Sequence, residues 1–111
     1  MNKHIRKPRN VDMYRAILTL KDTDELMRFF DDLCTKTELQ AMEQRYQVAK
    51  LLDEGLIYNQ ILEKTGASSA TISRVNRAFQ DGEDGYALAF ERLKELDEAG
   101  NEAEETAEEK K

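Results

Sequence analysis

Reactive and metal-ligating side chains are scarce in this sequence of 111 residues, which has one cysteine, Cys34, and one histidine, His4. A single cysteine cannot form an intrachain disulfide, and this pair is too small for a metal cluster. Cys34 follows an apolar series and is interpreted as a small buried hydrophobic residue. No nucleophile–base pair and no glycine-rich phosphate loop is visible. We therefore expect a protein that is not an enzyme and that uses no metal or cofactor.

Long apolar runs are also missing from the sequence. No stretch of 18 apolar residues occurs, so no membrane span and no membrane partner is expected. Residues 1–10 are basic, but they lack the apolar segment of a signal peptide, and we interpret them as a flexible arm. A cytoplasmic location follows as the expectation.

Strand-like alternation of apolar and polar residues is absent, and the one proline, Pro8, precedes the first periodic segment. Apolar residues recur at helical spacing from residue 11 to residue 96, which predicts an all-α domain of about six helices. The first helix is expected over 11–20, and Gly55 and Gly66 are expected to end two later helices. Residues 97–111 contain no large apolar side chain, which predicts an acidic tail that is disordered or a frayed helix.

Charge is distributed unevenly along the chain, whose net charge is −6. The tail is strongly acidic, whereas residues 55–80 hold Lys64, Arg74 and Arg77 against Glu63 alone. Local potential, more than net charge, decides where a phosphate backbone docks. The acidic body leaves open a second hypothesis, an acidic helical protein-interaction module that does not bind DNA.

A helix-turn-helix is predicted over residues 57–79. A short apolar-periodic segment is followed by Gly66, where the chain can reverse without side-chain strain, and then by a second helix that begins with small hydroxyl residues. Ile61 and Leu62 are expected to pack against the second helix and to fix the angle between the two. The apolar positions of that second helix are Ile72 and Val75.

Small side chains allow the start of the second helix to approach base edges in the major groove. Thr71 and Ser73 can form hydrogen bonds with bases or phosphates, and the helix N-terminus attracts phosphates. The sequence thus favours a sequence-specific DNA-binding transcriptional regulator. The predicted DNA-contacting residues are Asn59, Gln60, Lys64, Ser68, Ser69, Ala70, Thr71, Ser73 and Arg77.

Over roughly residues 11–96 the chain resembles the Trp repressor superfamily, and specifically its YerC/YecD branch. The specific segments are Thr35 to Arg45, within CTKTELQAMEQRYQVAKLL, and Gly66 to Arg74, GASSATISR. The resemblance implies an intertwined homodimer and a repressor that binds palindromic double-stranded DNA. It implies that the shared dimer core includes Tyr14, Ile17, Phe29, Phe30, Tyr86, Phe90 and Leu93.

An amino-acid corepressor is a further implication of the resemblance. In the repressor, one arginine from the long helix and one from the recognition helix hold tryptophan. Arg45 and Arg74 match these two arginines in this sequence. Thr35 matches a pocket position whose backbone meets the ligand. Val75 and Ala78 stand where the repressor has glycine and serine, which disfavours tryptophan itself. A different amino acid and no effector at all both stay open. Ion pairing or phosphate contact is the alternative role for Arg45 and Arg74.

Overall fold

Six α-helices and no strand are present in the part of the chain that the computed structural model describes, which is the backbone of residues 8–109 and the side chains of residues 8–100. The all-α prediction is confirmed. No helix in these ranges is long and apolar enough to cross a membrane. Residues 1–7 of the predicted arm lie outside the described residues. The helices are α1 (Val11–Leu18), α2 (Thr23–Leu33), α3 (Lys36–Asp53), α4 (Tyr58–Thr65), α5 (Ser69–Asp81) and α6 (Gly85–Glu109).

The chain divides into two units between residues 40 and 41, within α3. In the first unit, side chains cap both α1 and α2 at their N-termini. The Asp22 carboxylate accepts a hydrogen bond from the Glu25 N–H at 2.9 Å, so Asp22 is the N-cap of α2. The first helix ends at Leu18, two residues earlier than expected, because Thr19 and Leu20 turn back in tighter bonds to Ala16 and Ile17.

Apolar side chains of α1 and α2 remain accessible in this single chain. Neither helix contains a buried residue, and Leu18 is 83% exposed. The rings of Phe29 and Phe30 meet edge to face at 5.7 Å, but both residues stay half-exposed, as does Cys34. The first unit therefore lacks a core of its own.

The second unit contains the hydrophobic core. Its most deeply buried side chains, Val48, Ile61 and Ile72, come from α3, α4 and α5, and Phe90 of α6 completes the cluster. Phe90 also meets Tyr86 in a stacked arrangement at 5.9 Å. These two aromatic residues, which the resemblance placed in a shared dimer core, are thus already packed within their own chain.

Local hydrogen bonds define both ends of α3, and Gly55 ends the helix as the sequence predicted. Thr35 and Glu38 form a reciprocal capping box, with the Thr35 N–H donating to Glu38 Oε1 at 2.8 Å and the Glu38 N–H donating to Thr35 Oγ1 at 3.1 Å. The hydrogen bond from the Thr35 N–H, followed by one from the Thr35 side chain, lowers the pKa of the Glu38 carboxyl group. At the other end Gly55 has a φ of 89°, and Leu56 donates to the Leu51 carbonyl in a Schellman turn.

Helix α6 continues to Glu109, whereas the sequence favoured a disordered tail or a frayed helix from residue 97 onward. Alanine and glutamate, which dominate this segment, are strong helix formers. Extending an existing helix also avoids the unfavourable nucleation step. Helix propensity therefore accounts for the helical backbone of a segment without an apolar face.

Candidate nucleic-acid interface

A buried apolar seam joins α4 and α5 and fixes the connection between them. Ile61 and Ile72 are fully buried, and Val75 and Ala67 are almost so. Gly66 ends α4 with a φ of 70°, a left-handed conformation that glycine adopts without strain. The predicted helix-turn-helix is present, with one correction. Leu62, which was expected in the seam, is 42% exposed. Consecutive residues of a helix point in different directions, so Leu62 faces away from the core side on which Ile61 lies.

The N-terminus of α5 is capped by Ser68 and lies at the surface. Ser68 Oγ accepts a hydrogen bond from the Thr71 N–H at 3.1 Å and lies 3.0 Å from Thr71 Oγ1, to which it donates. Ser68, Ser69 and Ala70 are exposed, whereas Thr71 is half-buried. Small side chains thus surround a helix end whose N–H groups and dipole attract anions.

One face of α5 points away from the core. Ile72 and Val75 are buried on the inner side, and the exposed residues on the opposite side are spaced by three and four positions, as one helix face requires. We call this set the outward face. It consists of Ala70, Ser73, Arg74 and Arg77.

The outward face contains a cation that sequence reasoning had assigned to an effector. Arg74 lies on it beside Ser73 and Arg77; the sequence analysis placed Arg74 in the effector set and gave phosphate contact as its alternative role. The helical spacing of residues 70, 73, 74 and 77 was the available signal. Conversely, Thr71 lies at the margin of this face, and its hydroxyl is engaged by Ser68.

The predicted contact residues of α4 differ in what their side chains do. Gln60 Oε1 accepts a hydrogen bond from the Ile57 N–H at 3.0 Å, which satisfies one backbone donor at the start of α4. Asn59 lies within the first turn of α4 and is exposed, as is Lys64. All three remain predictions as DNA contacts.

The predicted effector residues are distributed over both units of the chain. Arg45 and Arg74 are exposed, and neither forms an ion pair or hydrogen bond with a side chain that the structure describes. Ion pairing between described residues therefore does not account for these two arginines. Thr35, in the first unit, is exposed, and its hydroxyl is occupied by the capping box. Val75 lies in the core, 2% exposed, and fills the space that a glycine would leave.

No chemistry beyond binding is suggested by this part of the molecule. Among the described residues no group of histidine, cysteine, aspartate and glutamate could hold a metal ion. Exposed hydroxyls, guanidinium groups and a helix N-terminus are typical partners of phosphates and base edges.

Comparison with known proteins places this helix pair in a family. The sequence profile described as Trp repressor protein matches residues 11–94. A protein of Bacillus subtilis (strain 168), described as uncharacterized protein YerC, is 51% identical over 85 residues, which are 77% of this chain and 82% of that protein.

Two solved structures are similar in fold and sequence. A TrpR-like protein from Eubacterium eligens ATCC 27750 is 54% identical with a TM-score of 0.72, over 75% of this chain and 86% of that one. A candidate Trp repressor from Staphylococcus aureus is 46% identical with a TM-score of 0.73, over 76% of this chain and 84% of that one. The similarity thus extends through both units.

Proposed function

The chain belongs to the Trp repressor family, in its YerC-like branch, a family of DNA-binding regulators and not of enzymes; from this premise we propose that it is a cytoplasmic repressor that binds a palindromic operator as a homodimer. The observation that carries the proposal is the outward face of α5, which presents Ser73, Arg74 and Arg77 to solvent behind a capped helix N-terminus. These side chains provide hydrogen bonds to base edges and charge for phosphates.

Dimerisation is supported by the apolar surface that one chain leaves accessible. Neither α1 nor α2 buries a residue, and Leu18, Met27 and Leu33 are each at least half exposed. Burying such side chains against a second copy stabilises the pair by about 1.5–3 kcal/mol for each large side chain. Sedimentation at micromolar concentration should give a mass of two chains, and a monomer at every concentration would contradict this part of the proposal.

Sequence-specific recognition is tested by selection from DNA of random sequence. The full chain is incubated with a library of 40-base-pair duplexes that contain a randomised centre, and bound duplexes are enriched over several rounds. We expect a palindromic consensus whose half-sites lie about 34 Å apart. No enrichment at moderate salt would refute the proposal. Stoichiometric capture of one protein partner in the absence of DNA affinity would favour the interaction-module alternative.

We also propose that an effector, when one is bound, is an amino acid other than tryptophan, with its carboxylate on Arg45 and Arg74. Both guanidinium groups are unpaired among the described side chains, and arginine suits a carboxylate. Val75 stands where the repressor has glycine and is buried in the core, which disfavours tryptophan at this position. In calorimetric titrations with the twenty amino acids tested one by one, we expect at least one amino acid other than tryptophan to give a binding heat that Arg45→Gln removes. Binding of tryptophan alone would contradict the assignment.

A further inference from the structure

A short chain of hydrogen bonds runs through the turn between α4 and α5. Thr65 Oγ1 donates to the Ile61 carbonyl at 2.7 Å and accepts from the Ala67 N–H at 3.1 Å. The carbonyl of Thr65 accepts a further hydrogen bond from Gln44 Nε2 at 3.2 Å. One threonine thereby ties the end of α4 to the turn, and Gln44 ties the same point to α3.

The location of these bonds gives them control over the start of α5. Ala67 is 2% exposed, so its N–H has poor access to water and depends on the Thr65 hydroxyl. Ser68, the next residue, caps α5. A change in the backbone conformation at Ala67 would therefore displace the first residues of α5, the recognition helix.

The bond from Gln44 differs from the helix caps in its reach. It joins positions 21 residues apart, and both partners are half-buried. The caps at Ser68 and Asp22 join residues three apart and define only where a helix begins. Gln44 instead holds the turn against α3, beside the core residue Val48 one helical turn further along.

We propose that Gln44 and Thr65 are positioning residues that set the sequence specificity of DNA binding, an inference that rests on the proposed function. They fix the angle at which α5 leaves the turn, and thereby where Ser73 and Arg77 meet the groove. Hydrogen bonds to base edges tolerate little displacement, whereas charge attraction to phosphates acts over longer distances. Loss of either positioning residue therefore lowers specific binding and leaves non-specific binding intact.

Two matched pairs of variants test the proposal. Thr65→Val removes the hydroxyl and keeps the shape, while Thr65→Ser keeps the hydroxyl. Gln44→Met removes the amide donor at similar length, while Gln47→Met makes the same change at an exposed position of α3. Fluorescence anisotropy measures the Kd of each protein for the duplex that the wild type enriches and for a shuffled duplex of equal composition.

For Thr65→Val and Gln44→Met, we expect Kd for the enriched duplex to rise about fivefold to tenfold, as loss of a hydrogen bond in the turn implies. Kd for the shuffled duplex stays within about twofold, because non-specific binding depends on charge. Thr65→Ser and Gln47→Met keep the wild-type ratio of the two Kd values. Exchange of the Ala67 amide with deuterium accelerates in Thr65→Val but not in Thr65→Ser.

The outcomes separate this inference from the proposed function. Equal weakening of both duplexes by Thr65→Val and Gln44→Met shows a merely structural role and overturns the inference, as does an unchanged ratio. If Thr65→Val does not fold, the Gln44→Met and Gln47→Met pair decides alone. A wild-type protein that enriches no duplex overturns the proposed function itself, and the inference with it.

Discussion

Substitution of Ser68 separates the folding of α5 from its binding to DNA. Ser68 Oγ accepts from the Thr71 N–H at 3.1 Å and is exposed at the helix N-terminus. Aspartate and asparagine both replace serine well as N-caps, and an aspartate also interacts favourably with the helix dipole. We therefore expect the free energy of unfolding of Ser68→Asp and Ser68→Asn to lie within about 0.5 kcal/mol of the wild-type value. For Ser68→Ala, we expect the free energy of unfolding to fall by about 1 kcal/mol.

DNA binding should divide the same variants differently. In the proposed complex, phosphates approach the N-terminus of α5, and we assume a separation of roughly 7 Å between a carboxylate at residue 68 and one phosphate. At an effective dielectric constant of about 20, two such charges repel by about 2 kcal/mol, and the two subunits of the proposed dimer together raise Kd on the order of a thousandfold. Ser68→Asn adds no charge and should bind nearly as the wild type does.

Thermal unfolding and fluorescence anisotropy on the enriched duplex provide the two measurements. For a domain of this size, the loss expected for Ser68→Ala corresponds to a fall in Tm of about 4–8 °C. The reasoning is refuted if Ser68→Asp and Ser68→Asn bind DNA with equal affinity, because the helix N-terminus would then not face the phosphates. A Ser68→Asp protein that is much less stable than Ser68→Asn would refute the capping argument instead.

Two further predictions concern stability. Ile72→Ala should lower the free energy of unfolding, measured by urea denaturation, by about 2–5 kcal/mol, because it removes a buried side chain. Ile57→Ala, at a 62% exposed position, should lower it by under about 0.5 kcal/mol. Equal losses would contradict the core described above. Because hydrogen bonds from Thr35 lower the pKa of Glu38, its carboxylate stabilises the fold above its unfolded pKa, and this contribution is lost as pH falls through the lowered value. Carboxyl NMR should show a lower midpoint for Glu38 in the folded protein than in the urea-unfolded chain, and coincident midpoints would contradict the capping box.

Local signals in the sequence predicted much of the fold. Gly55 and Gly66 adopt the left-handed conformation at the helix ends where they were expected. Thr35 and Glu38 have the sequence spacing of a capping box, and this box is present at the start of α3. Each of these features depends on a few neighbouring residues. Local physical chemistry therefore suffices to predict them.

Features that depend on distant residues were not predictable in the same way. Ile61 and Leu62 are adjacent and equally apolar, and only the position of the rest of the core decides which one is buried. The bond from Gln44 to Thr65 joins separate helices, and no local pattern indicates it. The helical tail was difficult to predict for a different reason. Its composition favours helix formation, but it has no apolar face that could pack against the rest of the protein.

The central claim is that the outward face of α5 contacts DNA, and the salt dependence of binding tests it most directly. Arg77 lies on that face, while Arg92 is an exposed arginine on α6. If Arg77 of each subunit contacts a phosphate, Arg77→Ala removes two contacts per dimer and should reduce the slope of log Kd against log salt concentration by about 1.8 on the enriched duplex, whereas Arg92→Ala should leave the slope unchanged. Identical slopes for the wild type and Arg77→Ala, or a larger loss for Arg92→Ala, would contradict the claim.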